Sequence, residues 1–223
     1  MLTIGFGLTL SVILLNWIAV WFGWRLLNYV SKALVIITLL FWLMTSIPDS
    51  GNVYWFSAGL FFSLVGDILL LLSSRHFLFG LITFLMTHLC YTAGFLIPLP
   101  QFSVAALLLV FFNFSIWLFI YVQIKRWIST SSAFHRLNKP LICYSLAIWS
   151  MVTAAFLTVA RADWIPHSSG LVISGALLFL FSDLLLAYDR FKHTLPDARL
   201  WKRVSYHLGQ LAIIAGVLLQ FNR

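Results

Sequence analysis

Residues 53–72 read VYWFSAGLFFSLVGDILLLL, twenty positions whose one formal charge is Asp67. A helix needs roughly 20 mostly apolar residues to cross the hydrocarbon of a bilayer. It is also the structure in which a single segment keeps its backbone N–H and C=O groups paired there. The stretch therefore predicts a membrane-spanning helix with an acid inside it. Outward from it, seven further runs obey the same rule, at about 2–24, 31–47, 77–97, 102–121, 138–160, 168–188 and 202–221. The expected fold is an all-α membrane protein of eight transmembrane helices, with a single domain covering 1–223. Connections such as Pro48-Asp49-Ser50-Gly51, Ser73-Ser74-Arg75-His76 and Pro98-Leu99-Pro100 are short and turn-like. The first run, Leu2 to Trp24, has neither a charged leader nor a small-residue cleavage site, which predicts a retained helix.

Composition agrees. Of 223 residues 62% are apolar and only 9% charged, where a soluble domain carries about 25% charged. This excludes a nucleic-acid reader, a secreted disulfide scaffold and a disordered tail. Cys90 and Cys143 lie in apolar runs with no CxxC pair, so neither a disulfide framework nor a thiolate metal site is indicated. Basic residues flanking membrane helices stay on the cytoplasmic side, and twelve of the 14 Lys and Arg fall between helices 1–2, 3–4, 5–6 and 7–8. Arg161 and Arg223 are the other two. Both termini are thus expected outside, in a bacterial inner membrane, with the net charge of +8 forming a cytoplasmic collar.

The polar residues inside the runs recur in a weak parallel repeat, helices 2-3-4 against helices 6-7-8. Lys32, Gly66-Asp67 and His88 with Tyr91 come first. Lys139, Ser182-Asp183 and Tyr206-His207 with Gln210 come second. The spacings from Lys to Asp to His are 35 and 21 in one half, 44 and 24 in the other. Asp67 and Asp183 are the two acids inside helices, and an intramembrane carboxylate is costly enough to be a functional-site hypothesis by default. Each precedes its helix end by about five residues, which at 1.5 Å per residue puts both roughly 8 Å inside the cytoplasmic boundary. The expectation is one polar cavity open to the cytoplasmic leaflet, walled by helices carrying Phe61, Phe62, Phe84, Phe179 and Phe181. Gly59, Gly66, Gly80, Gly175 and Ala176 are small enough for close helix approach. His207 is expected at the interface.

These residues carry a resemblance. Gly66-Asp67-x-Leu69-Leu70, Gly80-Leu81-x-x-Phe84-x-x-x-His88-x-x-Tyr91, Ser174-Gly175-Ala176-x-x-Phe179-x-x-Ser182-Asp183-x-Leu185-Leu186-Ala187 and Tyr206-x-x-x-Gln210 resemble the YhhN-like lysoplasmalogenase family, from helix 2 to helix 8. The resemblance implies an eight-helix membrane hydrolase that cleaves the vinyl ether bond of lysoplasmalogens to a fatty aldehyde and glycerophosphoethanolamine or glycerophosphocholine. It implies Asp67 and Asp183 as the catalytic pair, with His88, Tyr91, Tyr206 and Gln210 around them.

The chemistry fits the residues without the name. A vinyl ether is cleaved by protonating its β-carbon; water adds to the resulting oxocarbenium ion and the hemiacetal collapses. This calls for a protonated carboxyl and a second, ionised carboxylate, the division of labour that glycosidases use on a similar cation. Two aspartates in one low-dielectric cavity are driven into different protonation states, and which is the acid stays open. No metal or cofactor is called for, and no nucleic acid. Lys32, Lys139 and Arg190 are candidates for a headgroup phosphate. The alternative from another class is a lipid or amphiphile transporter with proton-coupling aspartates. A presenilin-type protease and a zinc hydrolase fit less well. Leu64 and Phe181-Ser182 depart from the protease motifs, and only His88 and His207 lie within helices.

Overall fold

The computed structural model describes residues 2–47, 51–72, 74–100, 103–129, 134–192 and 197–222. The turn read at Pro48-Asp49-Ser50, Ser73, the side chain of Arg136 and Arg223 lie outside them. Among the described residues there is no strand, and eight helices are long and apolar enough to span a membrane. They are α1 (Leu2–Trp21), α2 (Arg25–Ser46), α3 (Val53–Leu72), α4 (Phe77–Leu96), α5 (Val104–Ser129), α6 (Phe134–Leu157), α7 (Pro166–Phe191) and α8 (Ala198–Phe221).

The largest departures from the sequence expectation are at helix ends. α2 begins at Arg25 instead of residue 31. The chain reverses at Gly23, whose φ of 71° lies in the left-handed region. Trp24 N–H donates to the Ala19 carbonyl at 2.9 Å and Gly23 N–H to Val20 at 3.3 Å, the paired bonds that close a helix C-terminus. The next helix can therefore start at once. The Asn16 amide then joins α1 to α2, donating to the Asn28 carbonyl at 3.0 Å and to Ser31 Oγ at 2.9 Å. α5 and α7 run past their hydrophobic limits for another reason: Lys125, Arg126 and Arg190 are good helix formers whose long stems carry charge to the interface.

Hydrocarbon gives helices no hydrophobic reason to associate, so packing and interhelical hydrogen bonds decide which faces meet. α7 packs most extensively on α8 and α3 on α4, while α4 also lies against α6. Phe56, Tyr91, Phe95 and Phe179 form the fully buried centre. α5 stands outermost, touching α6 and α7 and exposing Leu108, Phe111, Phe112 and Phe119. At the end of the bundle away from the collar, Arg161 donates to both carboxylate oxygens of Asp163, at 3.0 and 2.6 Å, and to the Phe95 carbonyl at 2.9 Å. Those bonds hold the Asp163 carboxyl below the usual range.

The α7–α8 seam depends on two glycines. A Cβ on Gly175 would lie 2.6 Å from the Gly209 carbonyl oxygen and 2.7 Å from the Ile213 amide nitrogen, and one on Gly209 would lie 2.9 Å from the Gly175 carbonyl. Backbone atoms cannot rotate away as a side chain can. Gly175→Val should therefore cost about 1–3 kcal/mol through overpacking. Gly170→Ala, with nothing within 4 Å of the added carbon, should not destabilise. Thermal unfolding of the two variants in detergent checks the contrast.

Candidate active site

The polar residues of the bundle gather in two clusters. In the first, Lys32 on α2 places Nζ 2.6 Å from Asp67 Oδ1, and the pair is almost sealed, at 5% and 2% side-chain exposure. Lys32 Nζ also donates to the Asp67 carbonyl at 3.4 Å, and Tyr206 of α8 donates its hydroxyl to Asp67 Oδ2 at 3.0 Å. One turn further along α8, Gln210 accepts from Tyr91 at 2.6 Å and donates to Ser63 Oγ at 2.9 Å. Ser63 in turn meets Thr87, which donates to the Gly59 carbonyl. Gly59 is needed here because the Tyr91 ring lies across it.

In the second cluster Tyr144 of α6 donates its hydroxyl to Asp183 Oδ2 at 2.5 Å. His88 Nε2 lies 3.1 Å from that hydroxyl and 3.4 Å from Asp183 Oδ2. His88 is wholly buried, whereas Asp183 keeps 16% side-chain exposure. Phe179 separates the clusters, edge-on to His88 at 4.9 Å and to Tyr206 at 5.2 Å.

Asp183 and Tyr144 line an apolar cavity between α4, α5, α6 and α7. Ile116, Trp117 and Ile120 of α5, Ile148 and Val152 of α6, and Leu180 and Leu184 of α7 line it. Phe77, Lys125, Leu141 and Phe191 line the end where the basic residues lie. Arg190 sits over the Phe77 ring, its guanidinium carbon 5.0 Å from the centroid. The cavity therefore has a greasy barrel, a carboxyl and a phenol on its wall, and two cations at one end.

Several sequence expectations land differently. Asp67 and Asp183 share no hydrogen-bond partner, and only Asp183 lines the cavity. Lys32, read as a phosphate ligand, is buried against Asp67, because a buried carboxylate holds the nearest ammonium. Lys139 is exposed in the second turn of α6, and Arg190 is exposed beside the Phe77 ring. Phe61 and Phe181 point outward, at 54% and 50% exposure, while Phe84 and Phe179 belong to the core. His207, expected at the interface, is fully buried with neither ring nitrogen hydrogen-bonded among the described residues. Two cavity residues were not singled out in the sequence. Tyr144 looks there like any amphipathic aromatic, although it stands on helix 6 as Lys32 stands on helix 2. Lys125 was one of many collar cations. Among the described residues no three His, Cys, Asp or Glu side chains gather as a metal site requires.

A bundle of eight helices of spanning length, with a carboxyl and a phenol on the wall of an apolar cavity, defines an integral membrane protein. Its family is equally plain: the chain belongs to the YhhN family, whose model matches residues 27–217. It is similar to lysoplasmalogenase TMEM86B of Mus musculus, 27% identical over 188 residues, which is 84% of this chain and 74% of that one. It is likewise similar to lysoplasmalogenase TMEM86B of Homo sapiens, 28% identical over 187 residues, covering 84% and 74%. Lysoplasmalogenase TMEM86A of Bos taurus is 27% identical over 156 residues, 70% of this chain and 61% of its own. No solved structure matches.

The buried ion pair makes a stability prediction. Removing one partner leaves an uncompensated charge, worth about 3–5 kcal/mol, whereas replacing both with apolar or neutral groups is often close to neutral. Asp67→Asn should lower the thermal midpoint in detergent sharply, and adding Lys32→Met should restore most of it; a double-mutant cycle measures the coupling.

Proposed function

We propose that this membrane hydrolase cleaves the vinyl ether bond of lysoplasmalogens, releasing a fatty aldehyde and the glycerophospho-headgroup. The observation that carries the reading is Asp183, a carboxyl held by Tyr144 on the wall of an apolar cavity with cations at one end. Asp183 lies eight residues before Phe191, about 12 Å along the helix. A lysolipid placed with its phosphate near Lys125 and Arg190 thus brings the glycerol and its ether oxygen toward Asp183. The alkyl tail then runs on past Ile148 and Val152.

The two aspartates divide the work in this reading. Asp67 carries its charge beside the Lys32 ammonium and holds Tyr206, which keeps α2, α3 and α8 together behind the reacting centre. Asp183 is the acid. Its O–H bond breaks as a C–H bond forms at the β-carbon of the vinyl ether, leaving a carboxylate beside the new oxocarbenium ion. That carboxylate steadies the cation and takes a proton from the water that adds. The basic helix ends support a cavity mouth on the cytoplasmic side of an inner membrane, with both termini outside.

The contacts also support a two-fold relation between helices 2-3-4 and 6-7-8. Asp67 of α3 is bound from α2 and α8, and Asp183 of α7 is bound from α6 and α4. Exchanging each helix with the one four places on converts one set into the other.

Purified protein in detergent, where no gradient exists, should release long-chain aldehyde from an alkenyl lysolipid, and a carrier would release none. Acyl lysolipid run alongside should not be hydrolysed at a comparable rate. Asp183→Asn should lower turnover at least about 100-fold with an unchanged chromatographic profile. Lys125→Gln should chiefly raise KM, since it touches the headgroup and not the reacting carbon.

A further inference from the structure

We propose that His88 is a proton store for Asp183 and that the Tyr144 hydroxyl is the conduit between them; this rests on the vinyl ether reading above. Three contacts carry it. Tyr144 O–H donates to Asp183 Oδ2 at 2.5 Å, the same oxygen lies 3.1 Å from His88 Nε2, and His88 Nδ1 lies 3.3 Å from Met151 Sδ. A thioether sulfur has no hydrogen to donate and is a weak acceptor. A bare Nδ1 would set lone pair against lone pair, so Nδ1 keeps its hydrogen and Nε2 is the nitrogen that gains or loses one. His88 and Met151 are both fully buried, and Phe179 closes another side of the ring. Nε2 therefore exchanges its proton through Tyr144, whose oxygen lies nearer, at 3.1 Å, than Asp183 Oδ2 at 3.4 Å.

The cluster then has two arrangements of the same atoms. With the proton on Asp183, its carboxyl O–H donates to the Tyr144 oxygen and the Tyr144 hydroxyl donates to Nε2. With the proton on His88, Nε2–H donates to the Tyr144 oxygen and the Tyr144 hydroxyl donates to Oδ2. Passage from one to the other breaks one O–H bond at Asp183, makes and breaks one at Tyr144, and makes one N–H bond at Nε2.

Hemiacetal collapse is the step that needs two proton positions. After water has added, Asp183 again holds a proton. The hemiacetal hydroxyl must lose a proton to become the aldehyde carbonyl, while the leaving glycerol oxygen must gain one. Asp183 accepts the hydroxyl proton as its own moves through Tyr144 to Nε2. The C–O bond then breaks and the leaving oxygen takes a proton from Asp183. His88 returns its proton through Tyr144, and the carboxyl is reloaded. The sum is one vinyl ether and one water converted to one aldehyde and one alcohol, with every protein proton restored. A free carboxyl could give one proton and take the other through its two oxygens, but Oδ2 of Asp183 is engaged by Tyr144, so the second proton position is supplied through that hydroxyl.

The test uses the full chain in detergent with alkenyl lysolipid, following loss of the vinyl ether and release of aldehyde separately on rapid mixing. Tyr144→Phe removes one oxygen and should lower kcat about 100-fold with KM within about twofold. Vinyl ether consumption should run ahead of aldehyde in a burst, because protonation of carbon is intact and collapse is not. His88→Asn should give the same burst, and it carries the test if Tyr144→Phe does not fold. Wild-type kcat in either variant, or a parallel loss of both signals without a burst, overturns the relay. Absence of aldehyde from the wild-type enzyme overturns the vinyl ether reading instead, so the two failures are distinguishable.

Discussion

A carboxyl group inside a bilayer must bring its own counter-charge or its own hydrogen-bond donors, since lipid supplies neither. The rest of this structure depends on how that demand is met twice. Asp67 is met by the Lys32 ammonium at 2.6 Å and the Tyr206 hydroxyl at 3.0 Å and does not line the cavity. Asp183 is met by a phenol and an imidazole, which leave it partly exposed to the cavity. A carboxylate paired with an ammonium has no reason to give up or accept a proton. One held by groups that can themselves pass a proton does, which is the physical ground for the division of roles proposed above.

The same demand explains the packing around the acids. Lys32 reaches Asp67 only if α2 lies against α3, and Tyr206 reaches it only if α8 comes in beside them. α8 is drawn close to α7 at the Gly175–Gly209 contact, where backbone meets backbone. Further along, Ser182 Oγ donates to the Lys202 carbonyl and Lys202 Nζ to Asp189, fastening the same two helices at the charged end. The polar contacts thus set which helices meet, and the small residues let them meet closely.

The eight runs were legible because hydrophobic length is a property of the chain alone, and Asp67, His88, Tyr91, Asp183, Tyr206 and Gln210 stood out because polarity in such runs is costly. Their pairing was not legible. Lys32 and Lys139 look alike as basic residues flanking a helix, yet one is buried and the other exposed, because helix rotation decides which carboxylate an ammonium can reach. Tyr144 carries no mark in the sequence, since a tyrosine in an apolar run suits an interface, a core or a site equally well. The end of α1 at Gly23 was readable only in hindsight of its backbone angle, because glycine in a membrane run more often signals close packing.

The sign of the charge that develops distinguishes the proposed vinyl ether cleavage from ester hydrolysis. Ester hydrolysis builds a negative oxygen and calls for aimed, unoccupied donors. On the cavity wall the Tyr144 hydroxyl is turned to Asp183, the Asn113 amide to the Leu109 carbonyl and the Ser145 hydroxyl to the Ile142 carbonyl, while the indole N–H groups of Trp117 and Trp149 have no hydrogen-bond partner among the described residues. Backbone amides within the lining helices donate to their own turns. Protonating a vinyl ether builds a positive centre instead, and for that an apolar wall with a single carboxyl is the better partner. The low dielectric of such a wall would strengthen the attraction of that cation to the carboxylate.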